Sequence, residues 1–166
     1  MYFMRKQLPQ QLLRELLKNS KRSDRELAKV LRVSQPTVTR ARHKLERSKA
    51  IQDYTIVPDF KKMGFEILVL TFVKMRPEIR TPEMMQHTMK YASEFPNVVF
   101  VSSGQGLGMT GVIISLHKNY TEYHTQLTKL RIDFKDLVED IQSFLISLET
   151  GEFKRFSLTY LKDVPL

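Results

Sequence analysis

The sequence contains no cysteine and no tryptophan. Without thiols there is no disulfide framework, no thiolate nucleophile and no cysteine-bound metal. No run of about 18 apolar residues occurs, so no membrane span is expected. The opening residues MYFMRKQLPQ lack the apolar core of a signal peptide. A cytoplasmic location is the resulting expectation. Glycine is scarce too: there are six, and four of them (Gly104, Gly106, Gly108 and Gly111) crowd into SSGQGLGMTG. The four histidines, His43, His87, His117 and His124, show no metal-ligand spacing. His43 reads as a neighbour of phosphate, and the other three read as surface or rim positions. Neither a metal nor a cofactor is expected.

What the chain has in excess is positive charge, and its placement is uneven. Residues 1–50 carry 14 Lys and Arg against 4 Asp and Glu, whereas the remaining residues carry 13 against 14. The net charge of +9 therefore resides in the first third. That asymmetry points to a basic module for a polyanion joined to an electrically neutral module. A solvated lysine-rich surface is the plainer alternative.

Three short helices are expected between residues 9 and 48. The first follows Pro9, which needs no amide hydrogen at a helix start, with Leu12, Leu13, Leu16 and Leu17 as its apolar stripe. SDRE opens the second, with Ser23 and Glu26 spaced as a capping box ahead of Leu27, Ala28 and Leu31. Ser34 caps the third, QPTVTRARHKLERS, whose Val38, Ala41 and Leu45 share one face. Its other face carries Gln35, Thr37, Arg40, His43, Lys44 and Arg47, groups that reach phosphates and base edges. Helix, tight turn and polar second helix are the helix-turn-helix arrangement, so double-stranded DNA is the expected partner. SKAIQDYTIV then reads as a strand or short wing, and PDFKKMG as a connector.

From Phe65 onward the pattern predicts strand, helix, two strands, helix and strand. The strands are FEILVLTFVKM, PNVVFVSS and GVIISLH, with IQSFLIS and FKRFSLTYL supplying one or two final strands. Helices are expected from Thr81-Pro82 to about Glu94 and from Asn119 onward. The order βαββαβ is ferredoxin-like, with both helices on one face of an antiparallel sheet. Such a sheet should alternate apolar and polar residues on its open side. Val98 to Val101 and Val112 to Ile114 are instead consecutive apolar runs. A second copy of the chain is the expected cover, giving a homodimer with tetramers or octamers as further options. Cover by the final strand or by the first third is the alternative.

The residues at this point resemble the Lrp/AsnC family of transcription regulators. Asn19, Ser23, Glu26, Leu27, Ala28, Val33, Ser34, Leu45, Glu46, Ile51, Asp59 and Gly64 stand where that family's N-terminal pattern has matching residues. The resemblance implies a (winged) helix-turn-helix domain at 1–57, a linker at 58–64, and a ferredoxin-like, RAM-type dimerisation and effector domain at 65–166. It places Ser34, Gln35, Thr37, Thr39 and Arg40 at the DNA-facing start of the recognition helix; His43 and Lys44 join this set from the polar face read above. Three departures stand out: Arg32 replaces the turn glycine, Lys49-Ala50 replaces the glycine before Ile51, and Gly111 replaces the aspartate of a G-x-x-D element. The family's amino-acid effector would then meet Gly104, Gly106, Gly108 and Gly111 with no acidic partner for its ammonium at this position. A plain hairpin is the alternative for this stretch.

Enzyme readings fare poorly. The glycine stretch lacks the Lys-Ser/Thr ending of a P-loop and joins two strands. Glu139 and Asp140 are adjacent on a strand and face opposite ways, which suits no acid–base pair. Met84, Met85 and Met89 read as core filler. The expected function is sequence-specific transcription regulation. Two alternatives of the same architecture remain: a nonspecific, chromatin-like DNA-coating protein, and a sirohaem-decarboxylase-like enzyme. The enzyme's histidine–tyrosine signature is absent from the sequence.

Overall fold

The computed structural model describes residues 2–77, 81–150 and 153–164. They divide into two compact units: Met1–Val57 together with the tail from Lys154, and Pro58–Phe153.

The first unit is helical: α1 Tyr2–Lys18, α2 Asp24–Leu31 and α3 Gln35–Arg47. Its core is the set Leu8, Leu12, Leu16, Leu27, Ala28, Val38, Ala41 and Leu45, of which Leu12, Leu27 and Val38 are fully buried. Truncating one such leucine to alanine costs about 2–5 kcal/mol. The capping box forms as the sequence predicts: Glu26 N donates to Ser23 Oγ at 3.3 Å and Ser23 N donates to Glu26 Oε2 at 2.7 Å. Such a cap stabilises its helix by about 1 kcal/mol. Arg32 ends α2 in the left-handed region, φ 54 and ψ 43. Val33 N then reaches back to Ala28 O at 3.1 Å, the Schellman closure that glycine usually supplies.

Three expectations need correction in this unit. Helix α1 starts before Pro9 and runs through it. Proline suits a helix start, but Leu8, Leu12 and Leu16 form one buried stripe across it, and that burial outweighs the lost hydrogen bond. The wing is absent: residues 52–59 form no strand, because a strand needs a ladder partner and the described residues of this unit offer none. The expected last strand is instead a 3-10 helix, Leu158–Asp163, capped by Ser157. It packs against α1, and Arg14 Nη2 donates to Val164 O at 3.4 Å. Apolar residues at 156, 158, 160 and 161 fit a helical turn against leucines as well as they fit a strand.

The second unit runs β1 Ile67–Met75, α4 Pro82–Ser93, β2 Val98–Gly106, β3 Met109–His117, α5 Tyr120–Asp133 and β4 Val138–Ser147. The strands form one antiparallel sheet in the order β2-β3-β1-β4, which is the expected ferredoxin-like arrangement. Val69, Thr71 and Val73 of β1 are buried, as is Ser115, the register partner of Val69. Helix α4 packs near β2 and α5 near β3, and Tyr91 of α4 meets Phe134 at 4.8 Å between ring centroids. The alternate residues make up the other face: Leu70 pairs with Ile114 and Phe144, Phe72 pairs with Val112, and Phe100 pairs with Ile114. Phe100 and Phe144 are 50% and 63% exposed, so among the described residues of the unit nothing covers this apolar face.

Two side-chain expectations also change here. His117 is not at the rim; it is 1% exposed, edge-on to the ring of Tyr123. Met85 and Met89 are not core filler, since both are more than half exposed. The side chain of His87 lies outside the described set, and His124 is exposed.

Candidate nucleic-acid interface

Helix α3 has the polarity expected of a recognition helix. Val38, Ala41 and Leu45 are buried against α1 and α2, and on the opposite side Arg40, His43, Lys44 and Arg47 are exposed. At 100° per residue these four cluster within about one third of the helix circumference. Pro36 in the first turn and Ser34 at the N-cap start the helix sharply. The side chain of Ser34 makes no cap bond to the backbone; its Oγ lies 2.7 Å from Thr37 Oγ1. Gln35 is exposed beside them, so the helix start presents amide and hydroxyl groups outward.

Individual side chains are partly pre-set. Arg40 Nε donates to Pro36 O at 3.2 Å, which directs its guanidinium along the helix while the residue stays exposed. His43 Nδ1 sits 3.1 Å from Glu46 Oε2, leaving Nε2 as the free ring nitrogen of that pair. Glu46 is itself held below the usual carboxylate range by its hydrogen bonds from His43 and Tyr54. Thr39 differs from the other expected contacts. Its hydroxyl donates to Asp24 Oδ2 at 2.6 Å, with Gln35 O as a second acceptor at 3.2 Å. Arg42, which sequence reading left aside, donates from Nε to Asp24 Oδ1 at 2.8 Å. Arg47 was legible as part of the polar face, and its exposure matches that of Arg40 and Lys44.

Cations on α2 and its turn, Arg25, Lys29 and Arg32, are exposed as well. The helical unit thus presents many solvated cations and few unpaired acids. Glu15 is tied to Lys18 and Arg22, and Asp24 to Arg42. Arginine and lysine on a short exposed helix can neutralise phosphates and reach base edges.

The glycine stretch is more regular than its composition suggests. Gly104 and Gly106 lie in β2 and Gly111 lies in β3, so only Leu107 and Gly108 form the turn. Their φ values of 52 and 71 give the paired left-handed conformation of a two-residue hairpin. A Cβ on Gly111 would meet only Ser102 O, at 3.4 Å, an ordinary van der Waals contact. Elsewhere in the unit an open cavity of about 350 Å³ is lined by Arg131, Lys135, Glu139 and Asp140 together with Phe134, Val138 and Ile141. It brings both signs of charge together with apolar side chains, a combination that residue order alone did not reveal. Among the described residues no group of His, Asp and Glu is placed to hold a metal ion, and no helix is long and apolar enough to cross a membrane.

No protein-family model matches the chain. Curated relatives do match it. An uncharacterised HTH-type transcriptional regulator of Pyrococcus abyssi is 28% identical over 151 residues, spanning 89% of this chain and 93% of its own length. The HTH-type transcriptional regulator LrpA of the same organism is 31% identical over 94 residues, 57% of this chain and 64% of that protein. Among solved structures, an AsnC family transcriptional regulator from Agrobacterium tumefaciens aligns with a TM-score of 0.74 at 19% identity, covering 93% and 97% of the two chains. A Neisseria meningitidis transcriptional regulator in complex with L-Met aligns with a TM-score of 0.71 at 14% identity, covering 91% and 95%. At these identities the structural likeness is one of fold. The named relatives are transcription regulators rather than enzymes.

Proposed function

We propose that this chain, which is of the Lrp/AsnC type of HTH transcription regulator, binds duplex DNA in a sequence-selective way through α3. The observation that carries the reading is the two-sided build of that helix. Val38, Ala41 and Leu45 anchor one side, while Arg40, His43, Lys44 and Arg47 stand exposed on the other. Ser34, Gln35 and Thr37 flank the helix start, where backbone amides also favour phosphate. Thr39 acts indirectly in this reading, since its hydroxyl is committed to Asp24.

The DNA-binding form is a homodimer, with higher assemblies built on it. The open sheet face supports this: Leu70, Phe72, Phe100, Ile114 and Phe144 share it, and two of its phenylalanines are at least half exposed. Apolar surface of that kind is what a two-fold partner buries, and two recognition helices per particle give a pair of half-sites. A small molecule such as an amino acid modulates the regulator. The hairpin of Gly104, Gly106, Gly108 and Gly111 and the charged cavity near Arg131 are its two candidate seats.

Enrichment from a random duplex library tests the reading. A selective regulator recovers a shared motif and keeps it as salt rises. Equal, steeply salt-dependent loss on all sequences would favour a coating protein instead.

A further inference from the structure

The acid Asp24, at the first turn of α2, lies under α3 with both carboxylate oxygens in use. Oδ2 accepts from Thr39 Oγ1 at 2.6 Å, and Oδ1 accepts from Arg42 Nε at 2.8 Å, with Arg42 Nη2 also 2.8 Å away. Asp24 and Arg42 have side-chain exposures of 19% and 16%, so the pair is largely out of solvent. Arg42 also donates from Nη2 to Arg22 O at 3.4 Å and from Nη1 to Tyr54 OH at 3.2 Å. The Tyr54 hydroxyl passes its own proton toward Glu46 Oε1 at 2.9 Å. One carboxylate thereby joins the start of α2, two turns of α3 and the segment after α3.

Burial by itself would raise the carboxyl pKa of Asp24. The hydrogen bonds from Thr39 and Arg42 outweigh it and hold the group below its ordinary value. The ionised, doubly bonded state is therefore the resting one.

We propose that Asp24, acting through Thr39 and Arg42, is a positioning residue that fixes how α3 is turned toward DNA. Thr39 stands among the expected DNA contacts, and Arg42 is a further guanidinium on the same basic helix. Their polar atoms are directed inward instead, so the reading set is narrowed to Arg40, His43, Lys44, Arg47 and the helix start. Rotation of a helix by a few tens of degrees moves its side-chain tips by ångströms, enough to break a bidentate base contact. The ionic brace resists that rotation on one flank, while the Val38, Ala41 and Leu45 contacts secure the base of the helix.

The inference rests on DNA being the ligand, and its test separates the two. The full chain is assayed against its selected duplex and against a random duplex, over a series of salt concentrations. If the wild type shows no preference, the DNA reading itself fails. If it does, Thr39→Val and Asp24→Asn should each lower the specific-to-random ratio by roughly five- to tenfold, about the worth of one good base contact. Thr39→Ser, which keeps the donor, should retain the ratio. Arg42→Gln should lower the ratio with the salt slope unchanged, whereas loss of a phosphate contact would reduce that slope by about 1. Circular dichroism at the assay temperature establishes that each variant is folded. Should Asp24→Asn unfold, the Thr39 pair carries the same comparison. An unchanged ratio in folded Thr39→Val, or a slope reduced by about 1 in Arg42→Gln, would overturn the proposal.

Discussion

Ser115 Oγ and His117 Nε2 lie 2.8 Å apart, on the same face of β3 and both shut off from water. On the other side of the ring, Nδ1 faces the Asn97 amide nitrogen at 3.4 Å. That amide already donates to Leu116 O at 2.9 Å and to Gln126 Oε1 at 2.8 Å. A neutral ring with its proton on Nε2 satisfies this geometry, and a second proton on Nδ1 would point at another donor.

A pH dependence follows with a definite sign. Burial lowers the pKa of His117, and the nearby Glu122 charge only partly offsets this. The unfolded chain therefore takes up a proton near pH 6.5 that the folded chain still refuses. The contribution of His117 to stability is full above that pH and is lost as pH falls toward the lowered folded value. Thermal melts at pH 8 and pH 5 should show a larger drop for wild type than for His117→Gln. Equal drops would mean that His117 titrates alike in both states.

Arg32 bears a conformation that glycine adopts freely, with φ 54. Arg32→Gly should stabilise the helical unit by about 1 kcal/mol, the usual cost of a left-handed side chain less the glycine's added chain entropy. Urea unfolding with an unchanged m-value measures it; a lower midpoint would show that the arginine side chain makes up for its backbone.

The open sheet face predicts a particle of twice the chain mass of 19.5 kDa in light scattering at micromolar concentration. Phe144, 63% exposed on the edge strand β4 and in register with Leu70 of that face, is the residue to alter. Phe144→Asp would place a charge in a buried interface, at a cost of several kcal/mol, and should yield monomers that remain folded. A wild-type monomer would remove the dimer from the account.

For the small molecule, a thermal-shift screen of amino acids compares wild type with Gly111→Asp and Asp140→Asn. Aspartate at 111 supplies an acid where the hairpin has none, and its Cβ would make only an ordinary contact with Ser102 O at 3.4 Å, so it should create or broaden an amino-acid response if the hairpin is the seat. Loss of the response in Asp140→Asn alone assigns the seat to the Arg131 cavity. No shift in any of the three proteins would remove amino acids as effectors.

Much of this architecture could be read from residue order, because its signals are local. Ser23 and Glu26 announce a helix start whatever surrounds them, and Val38, Ala41 and Leu45 mark a buried face by spacing alone. The βαββαβ order followed in the same way from short apolar runs separated by helix starts such as Thr81-Pro82 and Asn119. What escaped depends on partners distant in sequence. Thr39 is polar on either side of a helix, and only the position of Asp24, 15 residues earlier, decides which way it faces. His117 has the composition of a rim residue and becomes core through Asn97 and Tyr123. Pro9 reads as a boundary until the leucines on both sides of it prove to share one stripe. The tail FKRFSLTYL carries apolar residues at spacings that suit two structures, and α1 selects the helical one.

Arg40 offers the most direct test of DNA recognition by α3. It is exposed on that helix and held along it by its bond to Pro36 O, so its removal leaves the core and the Asp24 brace intact. Competition binding of wild type and Arg40→Ala, on the selected duplex against random duplex, should show a loss of about 1–3 kcal/mol on the selected site and a smaller loss on random DNA. Equal affinity and equal selectivity for the two proteins would contradict the assignment of α3 as the recognition helix.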